Sequence, residues 1–252
     1  MKLLSATLSK FRLPLLVLQW AGNLLLLLFA FLWLQIPDSH TWQFLFSMFS
    51  ALLLALAFCG LQVFTFTRLR ATSPSSPLWI RLISFATLFV IWLFVANWIA
   101  SGNDHLWLYA ADWNSKLSPA HRVTFTPARL EAFLHWCLIV AQLVLAGVLI
   151  PAAIELGAGG FRRTTFLVIT RPWRRPLFWI VVILAGVCGV LLTNALVSWT
   201  PGHSVAAQTF SVLTRLLIAW LADIFLWMVA LSIAAAAMDG PLPVASEVAS
   251  AA

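Results

Sequence analysis

Six runs of mainly apolar residues, each about twenty or more long, dominate this chain and leave it few ways to fold. A helix rises 1.5 Å per residue, so about 20 apolar residues cross the roughly 30 Å of hydrocarbon in a bilayer. The runs extend from Leu13 to Ile36, Thr41 to Phe66, Trp79 to Ser101, Arg129 to Leu156, Leu177 to Trp199 and Thr209 to Ala237. Within hydrocarbon the backbone must satisfy its own hydrogen bonds, which makes each run a helix. The fold class expected is therefore all-α, a polytopic bundle of six transmembrane helices. The first run is too long for a secretory signal, and no small-residue cleavage site follows Leu34-Gln35-Ile36-Pro37.

Composition excludes the other classes. Of 252 residues, 62% are hydrophobic and 9% charged, whereas soluble domains carry about 25% charged residues. Too little polar surface exists here to cover a water-soluble core, and a chain this apolar does not stay disordered. The net charge of +7 reads as topology rather than nucleic-acid affinity. With the N-terminus inside, Lys2, Lys10, Arg12, Arg68, Arg70, Arg81, Arg162, Arg163, Arg171, Arg174 and Arg175 fall on the cytoplasmic side. Only Lys116, Arg122 and Arg129 fall outside, and Arg215 lies within the sixth run. That bias predicts N-in and C-in. One transmembrane domain is expected over residues 1–238, with a short disordered cytoplasmic tail over 239–252.

Two connections are long. The outer one, Gly102 to Ala128, carries Trp107, Tyr109 and Trp113, as suits a stretch lying at the interface. The inner one, Gly157 to Pro176, opens on Gly157-Ala158-Gly159-Gly160, a helix stop. It holds Arg162, Arg163, Arg171, Arg174 and Arg175, and its two Arg-Pro pairs forbid one continuous helix. These arginines are expected to meet anionic headgroups.

Polar residues inside the runs carry the functional reading, because an ionisable group at mid-span costs roughly 2.5–3.5 kcal/mol on insertion scales. Asp223 sits near the centre of the sixth run, with Asn23 and Gln142 at similar depth. The three define a candidate intramembrane polar site for a proton, a cation or a polar group. The competing reading makes a protonated Asp223 interhelical glue, and under both readings Asp223 faces the bundle interior. An outer polar tier comprises Glu131, His135, Arg215, Asn97 and Asn194. Glu131 and His135 share a helix face at i, i+4, and Arg215 reads equally as a snorkelling side chain. Small residues at Ala51, Ala55 and Cys59, and at Ala185 and Gly189, read as packing stripes.

No catalytic motif is present. His40, His105, His121, His135 and His203 lack the spacing of a helical ligand pair. No HExxH box, Gly-x-Ser-x-Gly elbow or Walker loop occurs, and Pro201-Gly202-His203-Ser204 lacks the central serine of the membrane-phosphatase motif. Neither metal nor cofactor is expected. The sequence reads as a permease-like carrier or a structural subunit of a membrane assembly. The alternative is a membrane-embedded enzyme at the outer leaflet using Glu131, His135 and Arg215, together with Asp223. Expected partners are the lipid bilayer, anionic headgroups, further copies of the chain or other membrane subunits, and no nucleic acid. The expected location is a bacterial inner (plasma) membrane, since arginine greatly outnumbers lysine.

Overall fold

The computed structural model describes residues 2–37, 40–70, 76–160, 165–198 and 205–239. Among them every regular element is a helix and no strand occurs. In chain order these are α1 (Lys2–Lys10), α2 (Leu13–Trp33), α3 (Thr41–Arg70) and α4 (Leu78–Ser101). After a 3-10 turn at Gly102–His105 come α5 (Leu106–Lys116), α6 (Pro119–Thr124) and α7 (Pro127–Gly159). The chain closes with α8 (Thr165–Thr170), a 3-10 turn at Pro172–Arg174, α9 (Pro176–Ser198) and α10 (Val205–Asp239). Six helices are long and apolar enough to cross a membrane: α2, α3, α4, α7, α9 and α10.

Local chemistry sets the boundaries. Pro14 opens α2 in its first turn, where a missing N–H costs nothing, and the preceding break separates it from α1. The sequence does not announce α1, since nine residues with three leucines fall short of a span. The expected outer connection after Gly102 is not an open loop: α5 and α6 occupy most of it, with Pro119 and Pro127 restarting the helix each time. The inner stop comes three residues later than Gly157. α7 runs through Gly159, and Gly160 ends it at φ +75°, a conformation that favours glycine. Beyond it the Arg-Pro pairs break the segment into α8, the turn and α9, as their geometry requires. Arg162, Arg163 and the tail at 240–252 lie outside the described residues.

The chain divides into two compact units, one of residues 1–86 and 150–252, the other of residues 87–149. In the first, the core gathers at one end. Phe66, Leu69, Ile154, Phe178, Met228 and Met238 are fully buried there, and Phe66 meets Phe85 edge-on at 5.4 Å. The last quarter of α10, Ala230–Met238, is buried on every face. A helix apolar all round belongs in an interior, and the alanine run Ala234–Ala237 lets its neighbours approach closely. Elsewhere the leucines and phenylalanines of α2 and α3 point outward, as lipid-facing side chains do.

Of the two small-residue stripes, the one on α9 has Ala185 buried and Gly189 against α10, where a Cβ on Gly189 would reach Asp223 and Leu226. On α3 only Cys59 is buried, and Ala55 is exposed. Gly22 does the corresponding work between α2 and α3, since a Cβ there would lie 2.7 Å from Leu61.

The second unit is tied mainly by backbone capping. Asn114 Nδ2 donates to Phe125 O at 2.6 Å, Arg122 Nε to Leu117 O at 2.9 Å, and Arg129 Nη1 to Thr124 O at 2.7 Å. Leu106, Ala110 and Leu130 form its buried contacts.

Candidate functional site

The carboxylate of Asp223 is exposed rather than turned inward, lying over Gly189 on the α9–α10 seam. Thr193 Oγ1 donates to its Oδ2 at 3.2 Å. Asn23 does not reach it. Both protons of the Asn23 amide go to Gln19, to the backbone O and to Oε1, each at 2.8 Å. The cause is helical geometry: Gln19 and Asn23 are i and i+4 on α2, so the nearest acceptor for Asn23 is on its own helix. Gln142 belongs to the second unit and is half-buried.

The outer tier divides between the units. In the second, His135 Nδ1 lies 3.1 Å from Asn103 Oδ1, Glu131 is half-buried and Asn97 exposed. In the first, Asn194 is exposed, whereas Arg215 is 6% exposed. Its Nη1 donates to Leu196 O at 2.8 Å and its Nε to Ser211 O at 3.1 Å, tying α9 to α10. Among the described residues no group of three His, Cys, Asp or Glu comes together.

Around Asn23 the structure assembles a polar network that sequence reading missed. Gln62 Nε2 and Asn23 Nδ2 both donate to Gln19 Oε1, Gln19 Nε2 donates to Thr65 Oγ1 at 2.6 Å, and Thr65 donates to Leu61 O at 2.9 Å. Gln19 and Thr65 are wholly buried and Gln62 nearly so. Every donor in this chain points the same way, which leaves acceptors at its start. Gln62 Oε1 is buried with no hydrogen-bond partner, and Asn23 Oδ1 accepts none among the described residues. Uncharged amides inside apolar runs are the signal; attention to ionisable residues alone passes over Gln62 and Thr65.

Beside this network, near the middle of α2, a cleft of about 330 Å³ opens between α2, α3 and α10. Asn23, Leu26, Ala30, Leu54, Phe58 and Trp220 line it. A hydrogen bond from Trp20 Nε1 to Leu221 O at 3.1 Å holds α2 to α10 alongside. Leu26 and Leu54 also line a larger groove of about 640 Å³ along α2 and α3, floored by Gly22 and flanked by Phe29, Trp33 and Phe46.

At the end of the first unit where α1, α3, α7 and α10 finish, four of the basic residues that set the topology, Lys10, Arg70, Arg81 and Arg171, are spent on protein. Arg70 pairs with Glu155 at 3.1 Å and with Asp239, which Lys10 also contacts at 2.6 Å. Two acids thus balance two bases, with Arg70 and Glu155 both buried. Three cations also satisfy the terminal carbonyls of helices other than their own. Lys10 donates to Leu69 O at 2.9 Å on α3, Arg81 to Gly157 O and Ala158 O on α7, and Arg171 to Met238 O at 3.0 Å on α10. Of the five inner-loop arginines, Arg174 is exposed. No protein-family model, curated protein or solved structure matches this chain.

Proposed function

We propose that the chain is a permease-like carrier, oriented N-in and C-in in a bacterial plasma membrane, whose working site is the mid-membrane cleft at Asn23. The observation that carries this reading is the buried Gln19–Asn23–Gln62–Thr65 network opening onto a cleft halfway along a span. Carriers place their substrate site near the bilayer midplane. A polar solute there has lost its water, and a fixed amide replaces the missing hydrogen bonds. The ion-paired end holds α1, α3, α7 and α10 together as a cytoplasmic plug, with Arg174 left to meet anionic lipid.

The test is flux. Purified protein in phosphatidylcholine vesicles should speed exchange of uncharged solutes, drawn from a panel running from glycerol to monopalmitoylglycerol, over protein-free vesicles. Asn23→Leu should return the rate to the protein-free level while thermal unfolding shows a folded protein. No protein-dependent exchange for any member rejects the carrier.

A second reading, a structural subunit, draws on Asp223. A carboxylate exposed on a membrane-spanning helix with one hydroxyl partner is costly in lipid, and a neighbouring subunit supplying a donor relieves that cost. Under this reading wild-type protein extracted in mild detergent runs as a larger species, and Asp223→Leu reduces it to the monomer.

A further inference from the structure

The cleft and its groove differ in chemistry from end to end, and that difference identifies a ligand class. At the cleft end, Asn23 has committed both amide protons to Gln19, so its side chain has only an acceptor to offer. The network behind it carries a second unspent acceptor, Gln62 Oε1. Trp220, on the opposite wall, has an indole N–H that makes no hydrogen bond among the described residues. One cleft lined by an acceptor and by a donor is the complement of a hydroxyl, which both gives and receives. A ketone or ester would leave Asn23 unmet.

No Lys, Arg, His, Asp or Glu lines either the cleft or the groove. A phosphate, carboxylate or ammonium head would therefore enter unpaired, which burial in hydrocarbon forbids. The groove that continues from the cleft is apolar apart from Ser50, and runs about 16 Å along α2 from Gly22 to Trp33 at the helical rise. Its width is set by Gly22 against Leu61 at one end. At the other, Trp33 is pinned by its indole hydrogen bond to Ser47 Oγ at 2.9 Å. That length suits an alkyl chain and not a compact sugar or polyol.

We infer that the cleft and groove of α2, α3 and α10 bind a single-chain lipid with an uncharged hydroxyl head, the head between Asn23 and Trp220 and the chain along the groove. This rests on the carrier reading and names its substrate class: the hydroxyl is met where it is furthest from water on its way between leaflets. No covalent step is involved.

The test reads binding alone. Protein in phosphatidylcholine nanodiscs is photolabelled with a diazirine-bearing hexadecanol, and the labelled peptides are mapped. Label should concentrate on α2 and α3 around Phe29 and Leu54. Hexadecanol should compete about tenfold better than hexadecane, the worth of one hydrogen bond. Asn23→Leu should make the two competitors equal, and Ala30→Trp, which fills the cleft without touching the amide network, should abolish the label at unchanged thermal stability. Equal competition in the wild type, or label that survives Ala30→Trp, overturns the inference and leaves an ordinary lipid tail in the groove. Selective labelling without flux rejects the carrier reading and keeps the ligand class. Flux of short polyols without selective labelling does the reverse.

Discussion

Single residues show how differently polar groups are treated in this protein. Asn23, Gln19 and Thr65 are uncharged, and burial costs such groups little once each finds a neighbour. Arg70 and Glu155 are charged and buried, so each depends on the other. Removing one partner of such a pair strands the remaining charge and costs about 3–5 kcal/mol, whereas replacing both with apolar groups is often nearly neutral. Arg70→Met should therefore lower the unfolding midpoint in detergent sharply, and Arg70→Met with Glu155→Leu should recover much of the loss. Equal damage from the single and double variants would show that the pair is not the source of the cost. In the sequence Arg70 is only a topological charge, because nothing in the spacing of residues 70 and 155 says that they meet.

At the scale of elements, helices are positioned by the few places where a side chain is missing. A Cβ on Gly157 would lie 2.6 Å from the ring of Phe66, which is fully buried and has no room to retreat. Gly157→Ala should then destabilise the protein by about 1–3 kcal/mol, the usual cost of overpacking. Gly60 has nothing within 4 Å of the same position, so Gly60→Ala should instead stabilise by about 0.5–1 kcal/mol through its effect on the unfolded chain. Thermal unfolding of the two variants side by side checks both signs. In sequence Gly60 lies inside an apolar run and Gly157 just past the end of one, and neither position says which glycine is crowded. Only the neighbour across the helix interface separates them.

For the molecule as a whole, the charge bias makes a prediction independent of any side-chain contact. Reporter fusions at Arg171 should lie in the cytoplasm and those at His40 and Lys116 outside; an external Arg171 would reverse the orientation. Hydropathy and length determined from sequence alone the six helices long and apolar enough to cross a membrane, since every such run must satisfy its backbone internally. Proline and glycine likewise determined where the inner segment breaks. The tertiary structure alone decided what the polar residues do. It gave Asn23 to Gln19, exposed Asp223 beside Thr193, and buried Arg215 against the carbonyls of Leu196 and Ser211. It also spent Lys10, Arg81 and Arg171 on the ends of other helices. The physical reason is that crossing the membrane depends on composition summed along one segment. A hydrogen bond between helices depends on rotation and register, which a uniformly apolar helix surface leaves unspecified until its neighbours pack against it.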